Sequence, residues 1–127
     1  MFLLVDDEKQ IRIMISTLLR VAYPSRPIVD FGCPKKALAW YRQEGNWKKV
    51  SLVISDYHMP GLNGSDFLDG CYETNPDVKS IMVSGDSKDS ILSENPQCRA
   101  GMFMEKPFAL NKIVAAVRDF ISPVNNP

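Results

Sequence analysis

Short apolar runs alternate with helically spaced apolar residues from one end of this chain to the other. Leu3-Leu4-Val5, Leu52-Val53-Ile54 and Met102-Phe103-Met104 are too short for a helix and have the length of a strand buried on both faces. Each run gives way to charge: Asp6-Asp7-Glu8 after the first, Asp56 beyond Ser55 after the second, Glu105-Lys106 after the third. After the first strand, Ile11, Met14, Ile15, Leu18 and Ala22 recur at helical spacing until Tyr23-Pro24 stops the helix. Residues 27–31 read as a second strand. A second helix has Pro34 in its first turn, Ala37, Leu38 and Tyr41 facing inward, and Gly45-Asn46 at its end. The third strand, residues 51–55, leads to Asp56 and a loop over 57–64 whose Pro and Gly residues break regular structure.

The second half continues the alternation. A third helix runs from about Ser65 to Thr74 with Phe67, Leu68 and Cys71 inward, followed by a strand over Ser80–Ser84. Residues from about Ser87 to Glu94 form a weak fourth helix, cut short near Pro96. The fifth strand ends at Glu105-Lys106, and the last helix carries Leu110, Ile113, Val114, Val117 and Ile121 on one stripe. Five strands alternating with five helices predict an α/β fold with a doubly wound parallel sheet. The alternation fills residues 1–122 as one domain and leaves 123–127 as a Pro/Asn-rich tail.

In such a sheet the carboxyl ends of the strands share one edge, where ligands bind. Asp6 and Asp7 would point to opposite faces of a straight strand, but at a strand's end the chain bends and both can approach one ion. Two such carboxylates beside Asp56 repel one another, by up to about 4 kcal/mol for a close pair at an effective dielectric of 20. A divalent cation relieves that repulsion. All-oxygen donors without clustered His or Cys favour magnesium, with manganese as the alternative, over zinc. The plainer account of Asp6 and Asp7 is a pair of solvated acids at a helix start, where they suit the helix dipole. Asp56 is the candidate nucleophile, able to accept a phosphoryl group as an acyl phosphate. Lys106 supplies a mobile point charge for a phosphoryl oxygen, and Ser84 a hydroxyl donor.

Composition narrows the class. Lys and Arg number 15 and so do Asp and Glu, giving a formal net charge of zero. That balance gives no reason to expect direct contact with nucleic acid or an anionic membrane. Three cysteines, Cys33, Cys71 and Cys98, lie far apart with no Cys-x-x-Cys pairing, so small buried thiols in a reducing cytosol are expected. The run Phe2–Val5 is too short for a signal peptide, and no stretch approaches the ~20 apolar residues of a membrane span. The expected location is the cytoplasm.

Taken together, these residues resemble the receiver domain of two-component response regulators over nearly the whole chain. Leu4-Val5-Asp6-Asp7-Glu8 is similar to that family's acidic first-strand motif, and Asp56 with Met59-Pro60-Gly61-Leu62-Asn63-Gly64 to its phosphoacceptor loop. Ser84-Gly85 fills the hydroxyl position and Lys106-Pro107-Phe108 the lysine motif. The resemblance implies a flavodoxin-like fold with strand order 2-1-3-4-5 and five flanking helices. It implies that Asp56 takes a phosphoryl group from a phosphohistidine on a sensor kinase or phosphotransfer protein in a magnesium-dependent reaction. Asp7, Asp56 and the backbone carbonyl of His58 would hold the metal directly and Asp6 through water. Lys106 and Ser84 would contact the phosphoryl group, and the Lys106-Pro107 bond would be cis. Ser84 and Phe103, three residues before the lysine, would act as the switch. The surface of helix 4, strand 5 and helix 5 would then pair two copies of the chain or bind a target.

Some positions depart from the common pattern. Ser84 stands where threonine is commoner, keeping the hydroxyl. His58 and Asp86, two residues after Asp56 and Ser84 respectively, flank the path of an attacking water and would tune how long the phosphate lasts. Pro96 interrupts the helix that belongs to the output face. The alternative function is a receiver-fold interaction module that is not phosphorylated, although such a domain usually lacks a site group. An enzyme is not expected: a phosphohydrolase of the aspartyl-phosphate type places Asp-x-Asp where this chain has Asp56-Tyr57-His58. A flavin site is also unexpected, because Asp7-Glu8 would repel a phosphate after the first strand.

Overall fold

The computed structural model describes residues 1–121; the tail assigned to 123–127, and residue 122 of the expected domain, lie outside them. Five parallel strands form one sheet in the order β2-β1-β3-β4-β5. In chain order the elements are β1 (Phe2–Val5), α1 (Lys9–Ala22), β2 (Ile28–Phe31), α2 (Pro34–Arg42), β3 (Leu52–Asp56), α3 (Gly64–Thr74), β4 (Lys79–Ser84), α4 (Lys88–Glu94), β5 (Met102–Glu105) and α5 (Leu110–Ile121). This is the fold class and strand order that the resemblance implies.

The continuous apolar runs are explained by burial on two sides. Alternate residues of each inner strand enter different cores, because successive side chains on a strand point to opposite faces. Leu3, Val5, Val53 and Met82 pack with Ala37, Tyr41, Phe67, Leu68 and Cys71 of α2 and α3. Phe2, Leu4, Leu52, Ile54, Ile81 and Val83 pack with Ile15 and Leu19 of α1 and Ile113, Ala116 and Val117 of α5. With about 25 cal/mol gained per Å² of apolar surface removed from water, this double burial is the main force holding the three inner strands in place.

The sheet edges differ from expectation. Met102-Phe103-Met104 reads as a buried strand, yet β5 is an edge strand whose side chains are half-buried or exposed. The apolar run is needed on only one partner strand, β4. The stripe of α1 is also shifted: Ile15, Ser16 and Leu19 are its buried residues, while Ile11, Met14 and Leu18 pack at the margin. Leu110 of the α5 stripe is described in its backbone only.

The second helix stops earlier than Gly45-Asn46. It ends at Arg42, and residues Gln43–Lys49 form short 3-10 turns interrupted where Glu44 and Gly45 take left-handed backbone angles, φ 46° and 76°. Asn46 donates its side-chain amide to the Trp40 carbonyl at 2.8 Å, satisfying one of the orphan acceptors at the helix end. Of the three thiols only Cys71 is in the core; Cys33 immediately precedes α2 and Cys98 lies between α4 and β5, and both are half-exposed. All three are free. No helix of the described residues is long and apolar enough to cross a membrane.

Candidate functional site

The carboxyl ends of β1, β3 and β5 bring Asp6, Asp7, Asp56 and Lys106 together. β1 ends at Val5, so Asp6 and Asp7 lie on the bend that follows it, and the two neighbours are freed from the alternation of a strand. One carboxylate oxygen from each of Asp6, Asp7 and Asp56 lies within 4.8 Å of the others. Asp6 and Asp56 are buried, 1% and 6% exposed, while Asp7 faces solvent. Lys106 Nζ reaches Asp6 Oδ2 at 3.3 Å, Asp56 Oδ1 at 3.5 Å and Glu8 Oε1 at 3.6 Å. The Lys106-Pro107 peptide is cis.

Burial raises the pKa of Asp56 to about 6, with the charge of Asp6 adding to the effect and Lys106 opposing it. Asp6 is raised for the same first reason, burial, against the Glu8 amide and Lys106, which favour its charged form. Burial pulls the Lys106 ammonium down, but Asp6, Asp56 and Glu8 together outweigh it and hold the group above its ordinary value. The cluster is therefore short of positive charge. Three hard oxygen donors within one ion's reach, two of them poorly solvated, fit magnesium or manganese by chemistry and spacing.

Local sequence explains how Asp56 is held. The Tyr57 amide donates to Asp56 Oδ1 at 2.9 Å, and the Gly64 amide donates to the Tyr57 carbonyl at 2.7 Å. Gly64 passes so close to β3 that a Cβ there would be 2.3 Å from the Asp56 carbonyl oxygen and 2.9 Å from Tyr57 Cα. Only glycine lets α3 start at this point. Asn63 caps that helix, accepting from the Asp66 amide at 2.8 Å.

Ser84 ends β4, 1% exposed, and its Oγ accepts from the Asp86 amide at 3.0 Å. Its carbonyl accepts from the Lys106 amide at 2.6 Å, tying the serine strand end to the lysine. A Cβ on Gly85 would meet nothing within 4 Å, so the path beside the hydroxyl is open. His58 and Asp86, two loops apart in sequence, meet across this mouth with His58 Nε2 and Asp86 Oδ2 2.5 Å apart. Phe103 is half-buried at the edge of the α2–α3 core, with Lys88 Nζ 5.5 Å from its ring centre.

Three contacts had no place in the sequence reading. Glu8 joins the lysine, Arg12 of α1 donates from Nη1 to the Asp6 carbonyl at 2.7 Å, and Tyr57 carries its hydroxyl to the far end of α4. That hydroxyl is 3.1 Å from Glu94 Oε2, to which it donates, and accepts from Asn95 Nδ2 at 3.1 Å. The phenol itself is 2% exposed. A tyrosine directly after a strand end is the one available hint of this link, and it does not reveal the partner.

The sensor kinase CckA of Brucella abortus is 33% identical over 73 residues, 58% of this chain and 8% of the kinase. The response regulator UvrY of Escherichia coli is 27% identical over 120 residues, 94% of this chain. The chain spans 53% of the length of UvrY. Among solved structures, the CheX–CheY–BeF3–Mg complex of Borrelia burgdorferi contains a chain of the same fold: TM-score 0.79, 21% identity, 93% of this chain and 86% of that one covered. The profile of the response regulator receiver domain matches residues 2–118, and the chain belongs to that family.

Proposed function

We propose that Asp56 accepts a phosphoryl group from a phosphohistidine on a sensor kinase or phosphotransfer protein. Phosphoryl acceptance is the general function of the receiver family. The observation that carries the reading for this chain is the convergence of Asp6, Asp56 and Lys106 at contact distance, with Asp7 completing the acid cluster. An oxygen of the Asp56 carboxylate forms the new P–O bond while the P–N bond to the donor breaks, its electron pair staying on the imidazole nitrogen. Asp56 Oδ1 already takes the Tyr57 amide and Lys106, which leaves Oδ2 as the attacking atom among the described contacts.

Magnesium, held by Asp7, Asp56 and the His58 carbonyl with Asp6 through water, would supply charge that neutralises the phosphoryl oxygens in transit. Lys106 binds one of those oxygens as a point charge, at the cost of its present contacts with the acids. Ser84 uses its Oγ as an acceptor for Asp86, so its O–H is available to donate to the phosphoryl group. The phosphate adds about −1.5 to −2 charges, drawing Ser84 towards it and opening space for Phe103 to turn inward. The surface of α4, β5 and α5 is the output face, for a target or a second copy of the chain. The His58–Asp86 pair orients water at the open mouth and sets the lifetime of the phosphate.

In this reading the domain is a signalling module of the cytoplasm and not an enzyme acting on external substrates. Against the unphosphorylated module stands the presence of Asp6, Asp7, Asp56, Ser84 and Lys106 together, since such a module usually lacks a site group. The test is magnesium with acetyl phosphate or beryllofluoride, followed by intact mass or NMR on wild type and Asp56→Asn. A magnesium-dependent adduct absent from Asp56→Asn is expected; a folded wild type that shows neither adduct nor spectral change would sink the proposal. In the same assay His58→Ala and Asp86→Ala should alter the phosphoryl lifetime, and unchanged lifetimes in both would remove the pair from the mechanism.

A further inference from the structure

Among the described residues no side-chain hydrogen bond holds the Asp7 carboxylate, which is exposed, yet it belongs to the three-acid group. Its direction is set by the backbone, and the backbone at this bend is gripped from two sides. The Asp6 amide donates to the Phe31 carbonyl at the end of β2, at 3.2 Å. The Asp6 carbonyl accepts from Arg12 Nη1 at 2.7 Å. That carbonyl and the Asp7 N–H belong to one planar unit, so a bond that orients the oxygen orients the start of Asp7 as well.

The guanidinium is itself built in. Arg12 Nε donates to Asp30 Oδ2 at 3.3 Å, and its side chain is only 18% exposed. It occupies a notch that exists because residue 32 is glycine: a Cβ on Gly32 would lie 2.7 Å from Arg12 Nη1 and 3.2 Å from Cζ. A fork of fixed geometry, locked by one carboxylate and aimed at one carbonyl, is a use to which Arg is suited and Lys is not.

We infer that Arg12 is the positioning residue for Asp7, holding the Asp6–Asp7 peptide so that the Asp7 carboxylate faces Asp56 and can serve a divalent cation. The inference rests on the metal-binding reading of the acid cluster given above. Arg12 touches neither the metal nor the phosphoryl group; it acts through the peptide.

Position and charge act in opposite directions here, which makes the inference testable. A cation close to the acids weakens divalent binding by simple repulsion, so its removal would strengthen binding if charge were its only effect. Loss of positioning weakens binding, by about tenfold or more when the supporting partner of a metal ligand is removed. Arg12→Gln, Arg12→Lys and Gly32→Ala should therefore all lower magnesium affinity, read by NMR titration of the Asp7 and Glu8 amides. Gly32→Ala matters most, since it displaces the guanidinium and leaves every charge in the protein unchanged. In metal-free protein the same three variants should shift the Asp7 amide resonance, with the thermal midpoint recorded to confirm folding. Equal or tighter magnesium binding in folded Arg12→Gln and Gly32→Ala overturns the inference, as does an unmoved Asp7 amide in both. A wild type that binds no magnesium would count against the metal-binding reading instead, and the metal-free amide measurement would then decide the role of Arg12 by itself.

Discussion

Removing the charge of Asp56 should stabilise the metal-free protein. Its carboxyl titrates at about 6 in the fold against an ordinary value of 3.8, and the group is 6% exposed, so little solvent screening reduces the effect. Each pKa unit corresponds to 1.36 kcal/mol, so the ionised form costs the folded state about 3 kcal/mol at neutral pH. Between about pH 4 and pH 6 the native state holds a proton that the unfolded chain has released, and stability falls as pH rises through that window. Asp6 is raised in the same sense and adds to the slope. Lys106, raised above 10.5, favours the fold up to alkaline pH and is silent in this window.

Asp56→Asn keeps the shape and the acceptor for the Tyr57 amide while removing the charge. Urea unfolding with EDTA at pH 7.5 should give about 2–3 kcal/mol more stability than wild type, equivalent to about 10 °C in midpoint for a domain of this size. At pH 4.5, where the native Asp56 is already protonated, the gap should shrink to about 1 kcal/mol. A gap below about 1 kcal/mol at pH 7.5, or one that does not narrow in acid, would refute the claim that this carboxylate is held against its own desolvation.

Other substitutions test separate parts of the structure. Gly64→Ala drives a Cβ against the backbone of Asp56 and Tyr57 and should cost about 3 kcal/mol by urea unfolding, with phosphoryl acceptance impaired. Lys106→Met removes the cation shared by three acids; magnesium should bind about fivefold tighter or more by titration, while acetyl phosphate labelling slows. Tyr72→Phe deletes a buried hydroxyl that lies 2.5 Å from Ser80 Oγ and donates to the Arg99 carbonyl at 2.8 Å, and should cost about 1–3 kcal/mol without changing phosphoryl acceptance.

How much of this was legible in the residues depended on how local the cause was. The inner strands announced themselves because burial on two faces demands an unbroken apolar run, and Leu3 to Val5 or Leu52 to Ile54 can be little else. The acids and the lysine were legible because each sits at the end of such a run. The exposure of β5 was not, since its apolar residues look the same whether one neighbour covers them or two, and only the strand order implied by the resemblance placed it at the edge. The early end of α2 was hidden because the break falls at Glu44, whose left-handed backbone a glutamate gives no reason to expect. Arg12 was invisible as a site residue for a similar reason: its partners are a backbone oxygen and an edge-strand acid 18 positions away.

Asp6 and Lys106 are separated by 100 positions, and their ion pair joins the beginning of the chain to its last quarter. During synthesis the acids after β1 emerge first, and the lysine that offsets them follows 100 positions after Asp6 and 50 after Asp56. A chain interrupted before residue 102 would therefore carry Asp56 and its acidic neighbours without the lysine cation, and without β5 to edge the sheet. In the proposed function, the phosphoryl-accepting site is therefore complete only once the last strand of the sheet and the lysine after it have been made.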